Sequence, residues 1–194
     1  WARAILAEEH GVDLSKVTWA RSDDEHVVGW RRPPNVEDIG GEGTLEDQLA
    51  RGDIPAAVGL TADDTTRPLI EDPFAAGIAA LKSRGFYPIN HLVVVRDEVL
   101  AAAPDLAVQL FEAFSASKRA YVEALKSGQI GELTGVDKVH LAALDVMDDP
   151  LPYGLDPNRD IMERLMATAL AQGIIDAPMP LDSLFAPATL GLTG

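Results

Sequence analysis

Cysteine is absent from the 194 residues. Thiol catalysis, cysteine-ligated metals and disulfides are thereby excluded, but the absence does not separate cytoplasm from periplasm. Long apolar runs are also missing: none approaches the ~20 residues that a membrane-crossing helix requires. Basic residues are scarce, 16 Lys and Arg against 31 Asp and Glu, giving a net charge of -15 and a pI ≈ 4.5. That balance argues against nucleic acid, whose phosphates need a basic face. Any anionic ligand must be held by local positive charge against an unfavourable overall field. The standard signatures are missing too. Without G-x-G-x-x-G, a P-loop or G-x-S-x-G, a nucleotide cofactor and an α/β-hydrolase serine have no support. No H-x-x-x-H or H-E-x-x-H spacing supports a metal centre.

What is present is an ordinary globular balance, 47% hydrophobic with a mean hydropathy of +0.04, enough for one sizeable core or two small lobes. There are no internal repeats and no low-complexity tract. The chain opens at Trp1 inside a helical pattern that ends at Gly11. A native protein rarely begins inside an element, so a segment upstream, a signal peptide or an N-terminal lobe, is expected.

Helix and strand patterns alternate in the first half. "KVTWARS" (residues 16–22) has a period of two and predicts a strand. Thr44, with Asp47 three residues on and Gly52 beyond, brackets a short helix. "DIPAAVGL" (residues 53–60) predicts a strand of small residues, and Asp72-Pro73 opens a helix running to about Arg84. "LVVV" (residues 92–95) predicts a strand buried on both faces, although Tyr87, Pro88, Asn90 and His91 stand at its entrance. From Pro104 the pattern becomes long helices, with Leu106, Leu110, Phe114, Tyr121 and Leu125 at helical spacing and a second long helix opening at Asp156-Pro157. The alternation favours an α/β fold with a largely parallel, doubly wound sheet.

Four histidines are the obvious acid–base candidates. His10, beside Gly11 at a helix end, suits the helix dipole, and His140 lies on an amphipathic helical patch; both read as structural. His26 closes the acidic run Asp23-Asp24-Glu25 after the first strand pattern, and His91 stands at the mouth of the apolar one. Arg31-Arg32 and Arg67 could meet a carboxylate, and Tyr153 occupies a loop in "DPLPYGLDPNRD". From the residues alone this is an α/β lobe with a small-anion site.

The ordered segments "SDDEHV", "GTLEDQLARGDIPAAVGL", "RPLIEDP", "YPINHLVVVRDEVL", "PLPYGLDPNRDIMERLMATALAQGI" and "LDSLFAPATL" together resemble the 4,5-dihydroxyphthalate decarboxylase family. That family is similar in fold to the type II periplasmic solute-binding proteins. The resemblance covers nearly the whole chain, the family's N-terminal lobe segment being absent. It implies two lobes with a cleft: residues 1–86 an α/β lobe, residues 87–194 the remaining part of the other lobe with its bracing helices. It implies a non-oxidative decarboxylase of an aromatic dicarboxylic acid, with His26, His91 and Glu25 in acid–base work. Arg67 would hold the retained carboxylate, and Asn90 and Tyr153 the hydroxyls. No organic cofactor is implied, while a divalent metal stays open. A small aromatic carboxylate is the expected partner, a homo-oligomer is compatible, and the cytoplasm is the expected compartment. The competing reading on the same fold is a solute-binding protein of a transporter for a small organic anion, which would be periplasmic.

Overall fold

A computed structural model describes residues 1–22, 29–40 and 42–194. The chain divides into two compact units, one of Trp1–Glu71 with Thr168–Asp176, the other of Asp72–Ala167 with Ala177–Gly194.

In the first unit, α1 (Ala2–His10) is closed by Gly11 in the left-handed conformation, its N–H bonded to the carbonyls of Ala7 and Leu6. A short 3-10 turn, Leu14–Lys16, leads into β1 (Trp19–Arg21). β1 pairs in parallel with β2 (Val36–Asp38), Trp19 opposite Val36 and Arg21 opposite Asp38. β2 lies in a stretch that composition marks as loop. Its entry is fixed by Asn35, whose amide donates to the carbonyls of Leu14 (3.1 Å) and Val17 (3.0 Å), while Trp19 N–H donates to the Asn35 carbonyl (2.8 Å). α2 (Leu45–Arg51) starts with the capping box expected of Thr44 and Asp47: each satisfies the other's backbone N–H.

The second unit is helical. α3 (Pro73–Arg84) begins at Asp72, whose carboxylate accepts from Ala75 N–H at 2.9 Å. Then come α4 (Asp97–Ala102), α5 (Leu106–Lys126), α6 (Gly135–Ala143) and α7 (Arg159–Ala171), whose last turn belongs to the first unit. Leu155, Met162 and Leu181 form its core, with Ile89, Met166, Phe185 and Leu190 packed against them. Burying each such side chain contributes roughly 1.5–3 kcal/mol.

The architecture is mixed, compatible with α/β, but among the described residues the sheet has two strands and is not doubly wound. Two expected strands are corrected. Residues 53–60 form turns: Pro55 cannot donate to a ladder, Gly59 bends the chain at φ 94°, and Val58 is exposed. Residues 92–95 form no strand among the described residues. Far from lying buried on both faces, Leu92, Val93 and Val94 are 53%, 63% and 88% exposed. The expected stripe of α5 is found in part, with Leu125 buried and Leu106, Leu110 and Tyr121 half-buried. Phe114 faces solvent, and the buried residues are Ser115, Lys118, Val122 and Leu125. Among the described residues no helix is long and apolar enough to cross a membrane.

Candidate functional site

The segment that carries Asn90 and His91 is anchored at its start. Phe86 is buried, with the Arg164 guanidinium 4.4 Å from its ring centre. The Tyr87 hydroxyl donates to the Pro150 carbonyl at 2.9 Å, and Ile89 packs on the Leu155–Met162–Leu181 core. Burial, and secondarily the charge of Asp149, push the Tyr87 phenol above its ordinary pKa, so it stays a donor. Beyond Ile89 the chain emerges: Asn90 and His91 are exposed, and neither side chain makes a hydrogen bond or ion pair among the described residues.

Tyr87 reaches a loop whose polar groups are almost all assigned. Asn158 donates to the carbonyls of Pro152 (2.7 Å) and Gly154 (2.9 Å). Asp149 accepts from Leu151 N–H at 2.9 Å and pairs with the Lys118 ammonium. Tyr153 and Gly194 exchange two backbone hydrogen bonds, 3.0 and 3.1 Å, so the C-terminal residues strap the loop down. Gly154 is required there: at φ 112° a side chain is strained, and a Cβ would run into the Leu192 carbonyl oxygen.

Lys118, only 4% exposed, points from α5 into this loop, its ammonium 5.3 Å from the Tyr153 ring centre. An ammonium so buried has to be paired, and the carboxylate and the ring face share that task. The Tyr153 hydroxyl has no hydrogen-bond partner among the described residues. The contact of Lys118 with Tyr153, and its pairing with Asp149, were not anticipated. The legible signal was a lysine on the inner stripe of a long helix.

In the first unit, charge gathers at the carboxyl ends of the two parallel strands, the edge where α/β proteins bind ligands. Arg21 reaches Asp38 at 2.7 Å, and Arg32 meets the same carboxylate with two nitrogens at 3.0 and 3.1 Å. These bonds, the Arg32 contact foremost, hold Asp38 below the ordinary carboxylate pKa. Arg32 thus has its carboxylate within the chain. Arg67 is exposed in the loop after the Asp63 turn and makes no ion pair among the described residues. Glu25 and His26 lie outside the described residues.

His140, read as structural, has a defined partner. The Tyr121 hydroxyl donates to Asp137 at 2.6 Å and lies 2.9 Å from His140 Nδ1. Tyr121 has one proton to give, so Nδ1–H must donate to the phenolic oxygen. Asp137 also caps α6 through Thr134. The cluster fastens α6 to α5.

The chain is similar to a curated protein, 4,5-dihydroxyphthalate decarboxylase of Comamonas testosteroni, with 28% identity over 207 aligned residues. The alignment covers 98% of this chain and 63% of that protein, so the chain spans less than two thirds of its relative. The extent of the match supports a distant family relationship. No protein-family model matches. No solved structure matches either.

Proposed function

We propose that this chain is the larger part of a non-oxidative decarboxylase of an aromatic carboxylic acid, with 4,5-dihydroxyphthalate as the substrate to try first. The observation that carries the reading is the alignment with a decarboxylase over 98% of the chain. Consistent with it, Arg67, Asn90, His91 and Tyr153 all keep polar groups unspent among the described residues.

The chemistry asks for little machinery. In 4,5-dihydroxyphthalate each carboxylate is para to a hydroxyl. Protonation of the ring carbon that bears the carboxylate gives a cation stabilised by that hydroxyl. The C–C bond then breaks, its electron pair returns to the ring, and CO2 and 3,4-dihydroxybenzoate result. The protein must supply a proton donor at that carbon, an acceptor for the phenolic proton and cations for the retained carboxylate. His91 or His26 serves the proton transfer, with Glu25 tuning it. Arg67 serves the carboxylate, and Asn90 and Tyr153 the hydroxyls.

The test is to incubate the full-length protein with 4,5-dihydroxyphthalate and follow CO2 and 3,4-dihydroxybenzoate, with and without added divalent metal. Stoichiometric release of both supports the reading. Saturable binding with no CO2 under any metal condition overturns it in favour of a solute-binding protein.

A further inference from the structure

A small pocket in the first unit has no part in the reading above. Its volume is about 280 Å3, at the small end of ligand sites, which run roughly 300–1,000 Å3. Arg3 of α1, Trp19 and Val36 at the starts of the two strands, Asn35, and Ala171 and Gln172 at the end of α7 line it. The Arg3 guanidinium stacks on the Trp19 indole, 4.3 Å from its centre. Among the described residues Arg3 makes no ion pair and no hydrogen bond.

Acidic residues outnumber basic ones by 31 to 16, and Arg21, Arg32, Arg51, Arg96 and Arg159 all hold carboxylates. Arg3 instead has one face of its guanidinium on an aromatic ring and its N–H fork uncommitted. Its neighbours in the pocket supply no carboxylate. The amide nitrogen of Asn35 is already engaged with Leu14 and Val17, so that residue keeps an acceptor and competes for no anion. The rest of the wall is mostly apolar, with Trp19, Val36 and Ala171 among it, and carries the neutral polar Ser15 and Gln172.

We propose that this pocket binds a small, flat organic carboxylate, the carboxylate on the Arg3 fork and the apolar body along Val36 and Ala171. Stacking holds the guanidinium plane, so little side-chain entropy is lost when its parallel N–H bonds close on a carboxylate. One planar cation and a short apolar wall fit a single ring with one acid group. A phosphate would find no second cation. The assignment stands apart from the decarboxylase reading, because it uses none of the same residues.

The experiment titrates benzoate into the full-length protein labelled with 15N at its tryptophans and follows the indole N–H signals, with Trp19→Phe assigning the one of interest. The expected result is a saturable shift of the Trp19 signal that weakens as salt rises and is unchanged between pH 6 and 9. Arg3→Gln should weaken binding roughly tenfold or more, the worth of a lost charge-assisted bond. Because Arg3 also packs on Trp19, Ala171→Leu serves as the second variant. It fills the pocket, leaves the Arg3–Trp19 stack untouched, and should weaken binding similarly. No saturable shift at millimolar benzoate, or benzoate affinity unchanged in both variants, overturns the proposal.

Discussion

The Tyr121 hydroxyl and the Asp137 carboxylate are 2.6 Å apart, a phenol–carboxylate bond that joins the middle of α5 to the first turn of α6. The bond sets the protonation of both ends. Burial first, and then the donation to Asp137, push the Tyr121 pKa up to about 12. The hydrogen bonds from Tyr121 and Thr134 hold Asp137 down to about 2. Burial lowers the pKa of His140, with Asp137 pulling the other way.

A pH dependence of stability follows, with the same sign for the two groups that titrate on the acid side. The fold favours ionised Asp137 and neutral His140. Their contributions are present above the ordinary pKa of each group, about 3.8 and 6.5. Acidification from neutrality should first lower stability as the unfolded imidazole takes up a proton, and again as pH falls toward 2 through Asp137. Tyr121 acts in the opposite direction: its contribution is present below pH 10 and is lost between 10 and about 12. Urea unfolding across pH 3–11 should show a plateau between about 7 and 10. The acid-side slope should shrink in His140→Gln. A wild-type slope retained in that variant would contradict the assignment.

The pair Lys118–Asp149 gives a ranked prediction. The lysine is 4% exposed and the aspartate 36%. Asp149→Asn leaves a buried ammonium unpaired and should cost about 3 kcal/mol or more. Lys118→Met keeps the volume and leaves a carboxylate that water can reach, so it should cost less, about 2 kcal/mol. Chemical denaturation of both variants and of the double variant checks the order. The double variant should be less destabilised than the sum of the two.

Two glycines should respond with opposite signs. Gly154→Ala meets a positive φ and the Leu192 carbonyl, and should cost more than about 2 kcal/mol while loosening the Tyr153 loop. Gly77 is exposed inside α3 with nothing near its missing Cβ, so Gly77→Ala should stabilise by about 0.5–1 kcal/mol. Thermal melts of the two variants, each against the parent, decide both.

The helices were legible because their ends are chemically marked. Thr44 with Asp47, Asp72 with Pro73, and the glycines at positions 11, 52 and 85 each satisfy an end that would otherwise leave backbone groups unpaired. Strands carry no such local mark. The run at 92–95 predicts a strand, but a ladder needs a partner that its own residues cannot specify, and none forms there among the described residues. β2 was missed for the same reason, since its pairing depends on Asn35 bridging back to Leu14 and Val17. In α5 the apolar spacing found Leu125 but misplaced Phe114, which faces out, because the inner stripe also carries Ser115 and a paired lysine. Of the site candidates read from the sequence, Tyr153 lies in a packed loop, to which Lys118 and Asp149 are brought only by tertiary packing.

His91 offers the cleanest separation of a chemical role from a structural one. It is exposed, and its imidazole makes no hydrogen bond or ion pair among the described residues. His91→Asn should therefore change stability by less than about 0.5 kcal/mol, as surface substitutions do. Asn keeps a similar size and some hydrogen bonding but cannot transfer a proton near neutral pH. If His91 is the general acid of the decarboxylation, kcat should fall by about 10²–10⁴ while substrate affinity changes far less. Measuring kcat, KM and the unfolding midpoint on one preparation of the full-length protein separates the cases. A rate loss with an unchanged midpoint supports the assignment. A KM effect alone would make His91 a binding residue, and unchanged kcat and KM would remove it from the site and leave His26 to supply the proton.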